Sequence, residues 1–390
     1  MLLVNAGNSL FKREGIPPRM EAKARLVAEV IVEAYNRMGL DAFNVGAYDL
    51  SMGLGYLQEL RDRAEFPFLS ANLVDRQGKP LFQPYLIKDV RGVKVAFIGL
   101  VEDDLKMDKI PDSSGFTVDD PTEAARRTVE EVRAQGAELV VVLSDMMERA
   151  CRRLALKKLP IQVIVGSSRR NKISLPLLVG HTLITHLDRG GRALGKMEIF
   201  RDGSPGGGGR TYRVGQFAIR NTFVPLLTKI PDHPAVGPLV AAALKQLNHL
   251  QKRTIQEAAA SANGCGREYV GVEVCARCHQ DRYAAWKGSP HAGAYETLIR
   301  RGRQFDLECL ACHTVAYQCS EGQVDKKSIE QFAAVQCESC HGPGSLHAST
   351  KGQSPLDKGF VCRRCHTGDR APDFPILSKV PEICSSAPTN

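Results

Sequence analysis

The sequence predicts two unlike folds in one chain: an α/β layered unit over residues 1–252 and, beyond a linker at 253–267, a mainly α unit poor in regular secondary structure over 268–390. Two observations carry that division. Up to about residue 250, short β-branched runs alternate with amphipathic stretches, the pattern of helices covering a mostly parallel sheet. Of 12 cysteines, Cys151 alone stands in that part, and the other eleven crowd between Cys265 and Cys384, where the periodic signal breaks into short pieces bounded by Gly and Pro. At 390 residues, 43% apolar and 24% charged, the composition is that of globular proteins and excludes fibrous and disordered classes. No apolar run approaches the roughly 18 residues of a membrane span.

The elements follow in order. Leu2–Val4 reads as a strand running into the loop Ala6–Leu10. Glu21–Met38 sets Leu26, Val27, Val30, Ile31 and Ala34 near helical spacing, and Gly39 ends that helix. Ala42–Val45, Pro67–Leu69, Val93–Ile98, Leu139–Leu143 and Ile161–Val165 read as strands, with helices at Pro121–Gln135 and Met146–Lys157. Tyr85–Ile98, with Arg91-Gly92 at its centre, is a predicted hairpin. A second hairpin is expected between Lys196–Arg201 and Tyr212–Ile219 around the glycines 206–209, and a last helix over Pro238–Lys252. From residue 268 onward, regular patterning is too sparse to stabilise the segment by itself, so another source of stability is required.

Charge excludes one class of partner. From Gly264 to the end there are 15 Lys+Arg against 14 Asp+Glu, leaving 37 against 29 before it, so the net +9 splits into +8 and +1. A surplus of +8 without a Lys/Arg-rich cluster or interleaved aromatics predicts no nucleic-acid binding.

The missing stability is visible in cysteine spacing. Cys275-x-x-Cys278-His279, Cys309-x-x-Cys312-His313, Cys337-x-x-Cys340-His341 and Cys362-x-x-Cys365-His366 are four copies of C-x-x-C-H within 92 residues. Each offers two thiols for thioether bonds to one haem and a histidine placed by the same turn to ligate its iron. Zinc ribbons and thioredoxin-like sites use C-x-x-C but do not explain a histidine after every copy. The expectation is four covalently bound c-type haems, with His279, His313, His341 and His366 as proximal ligands. Beyond the motifs this region holds two histidines, His291 and His347, and no methionine, so they are the candidate sixth ligands and His/Met ligation from within the region is excluded. Both follow a motif too closely to fold back easily, so each is expected to ligate a neighbouring haem.

Tyr269-Val270-Gly271, Trp286-x-x-Ser289-x-His291-Ala292, and Cys337-Glu338-Ser339-Cys340-His341-Gly342-Pro343-Gly344 with His347 resemble the tetrahaem cytochrome c-554 family, over Glu268 to about Phe374. The resemblance implies closely packed haems that transfer electrons, mostly with two axial histidines, and a family in which one haem can keep an open position.

The first 250 residues resemble another family. Leu2–Asn8, Asp41–Asp49, Phe66–Asn72, Gly92–Leu100 and the Thr182–Ile199 stretch, with Gly190-Gly191-Arg192, are similar to the catalytic domain of 5′-nucleotidases, among the calcineurin-like metallophosphatases. That resemblance implies a layered α/β sandwich whose activity needs two metals held by aspartates, histidines and an asparagine. Its ligand motifs depart here. The strand carrying the first ligands would precede Met1. Gly7-Asn8 stands where G-D is expected, Gly46-Ala47-Tyr48-Asp49 where G-N-H-[DE] is, Ser144-Asp145 where serine-histidine is, and Gly166-Ser167-Ser168-Arg169 where G-H-x-H is. Phosphatase activity is not expected; Asp49 and Asp145 are left as residues able to bind a cation, with helix capping or a solvated loop the commoner role of an aspartate at a strand end.

Haem is attached to C-x-x-C-H outside the cytoplasmic membrane, so the protein is expected to be exported, periplasmic or extracellular, with the signal segment and first strand absent ahead of Met1. In that compartment a disulfide is expected among Cys265, Cys319 and Cys384, and Cys151 is expected to be a packed core residue. The functional expectation is an electron carrier with redox partner proteins. The alternatives are an oxidoreductase acting on a small nitrogen or sulfur species at an open haem, and a subunit whose neighbours in a larger haem assembly complete its ligands.

Overall fold

The computed structural model describes residues 1–167, 175–186, 191, 193–201, 203, 210–226, 230–258, 268–319, 324–356 and 361–367. The chain forms two compact units, Met1–Val240 and Ala241–Asn390.

The first unit runs β1 (Val4–Asn5), α1 (Glu21–Met38), β2 (Ala42–Asn44), α2 (Leu54–Arg63), β3 (Phe68–Leu69), β4 (Leu73–Asp75), β5 (Tyr85–Val90), β6 (Val93–Leu100), β7 (Phe116–Val118), α3 (Pro121–Ala134), β8 (Leu139–Ser144), α4 (Glu148–Leu156), β9 (Val163–Gly166), β10 (Leu177–Val179), β11 (Thr182–His186), β12 (Ala193–Arg201), β13 (Thr211–Val214) and β14 (Phe217–Pro225). Strands β1-β2-β3 form a parallel sheet, and β10-β11-β9-β8-β6-β5 form a six-stranded sheet that is parallel except for its edge strands. Every residue of β8 is buried, as a central parallel strand covered on both faces requires.

Three apolar layers fill the sandwich. Ala28 and Val32 of α1 and Leu57 and Leu60 of α2 pack on Phe43 and Phe68 of the small sheet. Leu69, Phe97, Val141, Leu143 and Val163 lie between the sheets. Ala96, Val140 and Val142 turn the other way, against Ala125 and Val129 of α3 and Cys151 and Leu154 of α4. Gly99 marks the close approach of the sheets: a Cβ there would stand 2.5 Å from the Leu69 carbonyl.

Most predicted elements appear within two residues of their expected bounds. The α1 helix matches to the residue and ends on Gly39 at φ 68°. The Arg91-Gly92 turn joins β5 and β6 with both residues at positive φ. Two expectations fail. Tyr212–Ile219 is not one strand facing Lys196–Arg201; Gly215, at φ 58°, turns the chain so that β13 folds onto β14, and β12 pairs with β14 along nine residues. The glycines 206–209 lie outside the described residues. The other error is at the linker. Helix α5 runs Gly237–Ala258, past the predicted end at Lys252, because Ile255 is buried among Leu298, Leu310, Ile329 and Phe332 of the second unit. Most of that helix therefore belongs to the second unit, and residues 259–267 lie outside the described ones.

The second unit continues with α6 (Val272–Ala276), α7 (Gln280–Lys287), α8 (Ala294–Arg300), α9 (Leu307–His313), α10 (Ala316–Cys319), α11 (Lys326–Phe332), α12 (Cys337–His341), α13 (Ser345–Ser349) and a 3-10 turn at Cys362–Arg364. It is mainly α, in short pieces. Asp306 and Asp325 cap α9 and α11 by accepting from Glu308 and Ser328 N–H groups.

Candidate haem centres and the pocket of the first unit

In the first unit, the carboxyl ends of the strands converge on Asn8, Asp49, Glu102 and Asp145. Asn8 sits at φ 60° after Gly7 at φ 101°, which aims its amide inward. Its backbone N–H donates to Asp49 Oδ2 at 2.8 Å, its Nδ2 to Asp145 Oδ2 at 3.4 Å, and its Oδ1 accepts from Tyr48 N at 2.8 Å. Asp49 also accepts from Leu10 N and Gly46 N, each at 2.9 Å. Asp145 accepts from Ala47 N at 2.6 Å and Glu102 N at 2.8 Å, and Glu102 accepts from Met147 N at 2.5 Å. Gly46 is tight against this network: a Cβ there would lie 2.6 Å from the Asn8 amide oxygen.

Burial pushes the Asp145 carboxyl up to about 7, against the pull of its two backbone donors. Burial likewise raises Glu102. These residues do not fit a two-metal centre. Asn8 supplies an amide donor where a bridging acid is needed, both Asp145 oxygens already accept N–H groups, and the buried imidazole of His186, at the end of β11, lies 4.0 Å from Cys151 Sγ. Among the described residues no group of three His, Cys, Asp or Glu side chains could hold a metal ion. Ser167 donates to the Ala6 carbonyl at 2.8 Å, while Ser168 and Arg169 lie outside the described residues. Cys151 is fully buried, and burial raises its thiol to about 12.

In the second unit each motif occupies about one helical turn. Cys309–His313 closes α9, Cys337–His341 is α12, Cys275 ends in α6 with His279 leading into α7, and Cys362–Cys365 spans the 3-10 turn. At 3.6 residues per turn both thiols and the histidine emerge on neighbouring faces. The structure brings His347 to His279, with ring centres 5.9 Å apart and planes within 19°, and His291 to His366 at 6.2 Å and 57°. Two imidazole–metal bonds of about 2 Å each, plus the depth of two half-rings, add up to roughly 6 Å. The donor set therefore fits haem iron.

The surroundings agree. His313 Nδ1 lies 2.7 Å from the Ala294 carbonyl, and His347 Nδ1 lies 2.8 Å from that of Ser354, the arrangement that fixes the ring and leaves Nε2 for a metal. Burial lowers His291 and His366, which favours the neutral imidazole that a metal ligand requires. Cys275 lies against Cys337, and that contact lowers the Cys337 thiol. Cys312 Sγ lies 4.0 Å from the Arg364 carbonyl. Cys278 is exposed, and Cys340 and Cys365 are half-buried. Cys319 is disulfide-bonded, whereas Cys265 and Cys384 lie outside the described residues. His249 is exposed on α5.

Sequence reasoning missed what holds the motifs together. Gln336 Oε1 accepts from Val272 N at 2.9 Å, and Glu338 accepts from Val270, Gly271 and Gly344. The segments Tyr269–Gly271 and Cys337–Gly344 were legible as motifs; their contact, some 67 residues apart, was not.

Residues 274–342 match the family model described as cytochrome c554 and c-prime. The first unit is 34% identical over 155 residues to the 2′,3′-cyclic-nucleotide 2′-phosphodiesterase/3′-nucleotidase of Yersinia enterocolitica, covering 36% of this chain and 24% of that protein. The chain is a phosphoesterase-like fold joined to a cytochrome c554-like region. The 5′-nucleotidase of Vibrio cholerae is 34% identical over 122 residues, covering 30% of this chain and 22% of that one. The chain thus spans about a quarter of the length of these relatives. Among solved structures, the sulfate thiohydrolase SoxB of Thermus thermophilus superposes with a TM-score of 0.53 at 23% identity, covering 63% of this chain and 42% of SoxB. The calcineurin-like phosphoesterase YfkN of Bacillus subtilis gives 0.50 at 19% identity, covering 64% and 85%. At these identities the likeness establishes the fold of the phosphoesterase-like unit.

Proposed function

We propose that the chain carries electrons between partner proteins through four c-type haems, and that its phosphoesterase-like unit is a scaffold without hydrolytic metals. The observation that carries this reading is the crossing of histidines, His347 beside His279 and His291 beside His366. Haem, once attached, supplies a one-electron iron centre whose potential the protein tunes through axial ligand, burial and hydrogen bonds. The chain's residues supply the wiring. His347 follows the third motif and serves the first; His291 follows the first and serves the fourth. With Cys275 against Cys337 and Cys312 against Arg364, these contacts support a linked order of third, first, fourth and second haem. Cross-ligation also staples a unit that has little secondary structure. C-type attachment implies export to the periplasm or beyond.

Pyridine-haemochrome and mass measurements on protein matured in a host competent for c-type haem should give four haems per chain. A zinc protein without haem would overturn the reading.

One count favours a second reading. The region has two histidines beyond its motifs and no methionine, so the irons at two motifs take a sixth ligand from elsewhere or bind water. An open haem would reduce or oxidise a small nitrogen or sulfur species. Binding of nitric oxide or cyanide without denaturation, together with turnover, would support it; ligation that depends on protein concentration would point instead to neighbouring subunits.

A further inference from the structure

The second unit buries one carboxylate among its attachment motifs. Glu338, inside Cys337-Glu338-Ser339-Cys340-His341, is 3% exposed. Its Oε1 accepts from Val270 N at 3.0 Å and Gly344 N at 2.8 Å, and its Oε2 from Gly271 N at 2.8 Å and, more weakly, Val270 N at 3.3 Å. Both oxygens thus face N–H donors. Three backbone N–H donors shared by its two oxygens are the geometry that an anionic carboxylate accepts. Among the described residues, no Lys, Arg or His forms an ion pair with it. The three amides belong to the approach to the first motif and the exit from the third, where Cys275 and Cys337 touch.

We propose that Glu338 is the fixed anion of the first and third attachment sites: it ties the two segments together and holds the haems there toward the oxidised state. The proposal rests on the reading of c-type haems at both motifs. An uncompensated negative charge in a site of low dielectric opposes the arrival of an electron, because reduction removes positive charge from the iron that the anion attracts. For charges roughly 10 Å apart at an effective dielectric of about 20, Coulomb's law makes this about a tenfold effect on the reduction equilibrium. Glu338 is a positioning residue and a tuner of potential; it is not a ligand.

The test uses the full-length haem-loaded protein with Glu338→Gln and Glu338→Asp. Haem stoichiometry is read first and spectroelectrochemical titration second. Four haems should remain in the glutamine variant, with two of the four midpoints raised. At least one should rise by about 59 mV, the equivalent of tenfold for a one-electron couple. The aspartate variant keeps the charge on a shorter arm, so it should lose thermal stability while its midpoints stay near those of the parent. Four attached haems with four unmoved midpoints in the glutamine variant would overturn the proposal, whereas absence of haem in the parent would overturn the underlying reading instead. Should the glutamine variant lose haem, a reduced-minus-oxidised infrared difference spectrum decides. A carboxylate band in the parent that moves in the aspartate variant supports the anion, and a protonated-carboxyl band in its place refutes it.

Discussion

Strand β8 of the phosphoesterase-like unit passes through a sandwich with every side chain buried, whereas the longest helix lying wholly between Glu268 and His366 has eight residues and buries none of them. The first unit is organised by apolar layers, with a hydrogen-bonded network of Asn8, Asp49 and Asp145 at the carboxyl ends of its strands. The second has one modest apolar cluster around Leu310 and Phe332 and is otherwise tied by Glu338, Gln336 and the caps of Asp306 and Asp325. A segment of that size with so little buried apolar surface is marginal without covalent or metal staples. The difference teaches where each unit keeps its stability: in its own side chains in the first and, on the proposed function, in attached haem in the second.

The strongest way to break that comparison is to withhold haem. Chain made in a host that cannot attach it should retain a cooperative unfolding transition for the first unit, while residues 268–367 should exchange their amide hydrogens almost without protection. Hydrogen-exchange mass spectrometry resolves the two. Equal protection of both units in the haem-free chain would remove the distinction.

The converse cut falls on the layer between the sheets. Leu143 is fully buried there. Leu143→Ala should cost about 2–5 kcal/mol, the usual range for a large-to-small change in a core that relaxes only partly. Chemical denaturation should register that loss in the first unit, with the haem absorbance of the second unchanged at low denaturant.

What was legible in the sequence divides along the same line. Apolar periodicity located α1, the β5–β6 hairpin and β8 because each is specified by neighbours in the chain and by a two-sided core. It missed the pairing of β12 with β14, since a single glycine, Gly215, decides which strand folds onto which. It stopped α5 too early because the partners of Ile255 lie some 40 to 80 residues further on. The C-x-x-C-H motifs and the histidines His291 and His347 were legible as chemistry because spacing alone defines them. Which histidine stands beside which was not, because that depends on the fold of loops joined by Glu338 and Gln336. In the first unit the substitutions at Asn8, Ala47, Tyr48 and Asp145 were readable one by one; that together they make a closed hydrogen-bonded network required coordinates.

That network predicts a pH dependence. Asp145 has its carboxyl raised from 3.8 to about 7 by burial, so the folded unit holds the proton more tightly than the unfolded chain. The stability it contributes is complete below about pH 4 and is lost as pH rises through about 7. At about 1.4 kcal/mol for each pH unit of the window, the first unit should weaken by a few kcal/mol at most between pH 4 and pH 8. Asp145→Asn should flatten that slope, whatever it does to the absolute stability. Denaturation midpoints measured across pH, with the same slope in parent and variant, would show that another group carries it.

The smallest effect expected is none, and it tests the same pocket most directly. Adding Mn²⁺, Zn²⁺ or Co²⁺ should produce neither nucleotide hydrolysis nor a rise in the melting temperature of the first unit. A metal that bound the folded form would raise that temperature by mass action even if no substrate were turned over. Asn8→Asp restores one acid but crowds a third carboxylate into the buried network beside Asp145 and Asp49. The variant should therefore be less stable than the parent and just as inactive, since a two-metal clamp works only when both ions are held. A melting temperature that climbs with Mn²⁺ in the parent, or hydrolysis at enzyme-like rates in either protein, would mean that the pocket opens to admit ions, and the comparison between a unit closed by its own hydrogen bonds and a unit held by cofactors would fail at its first term.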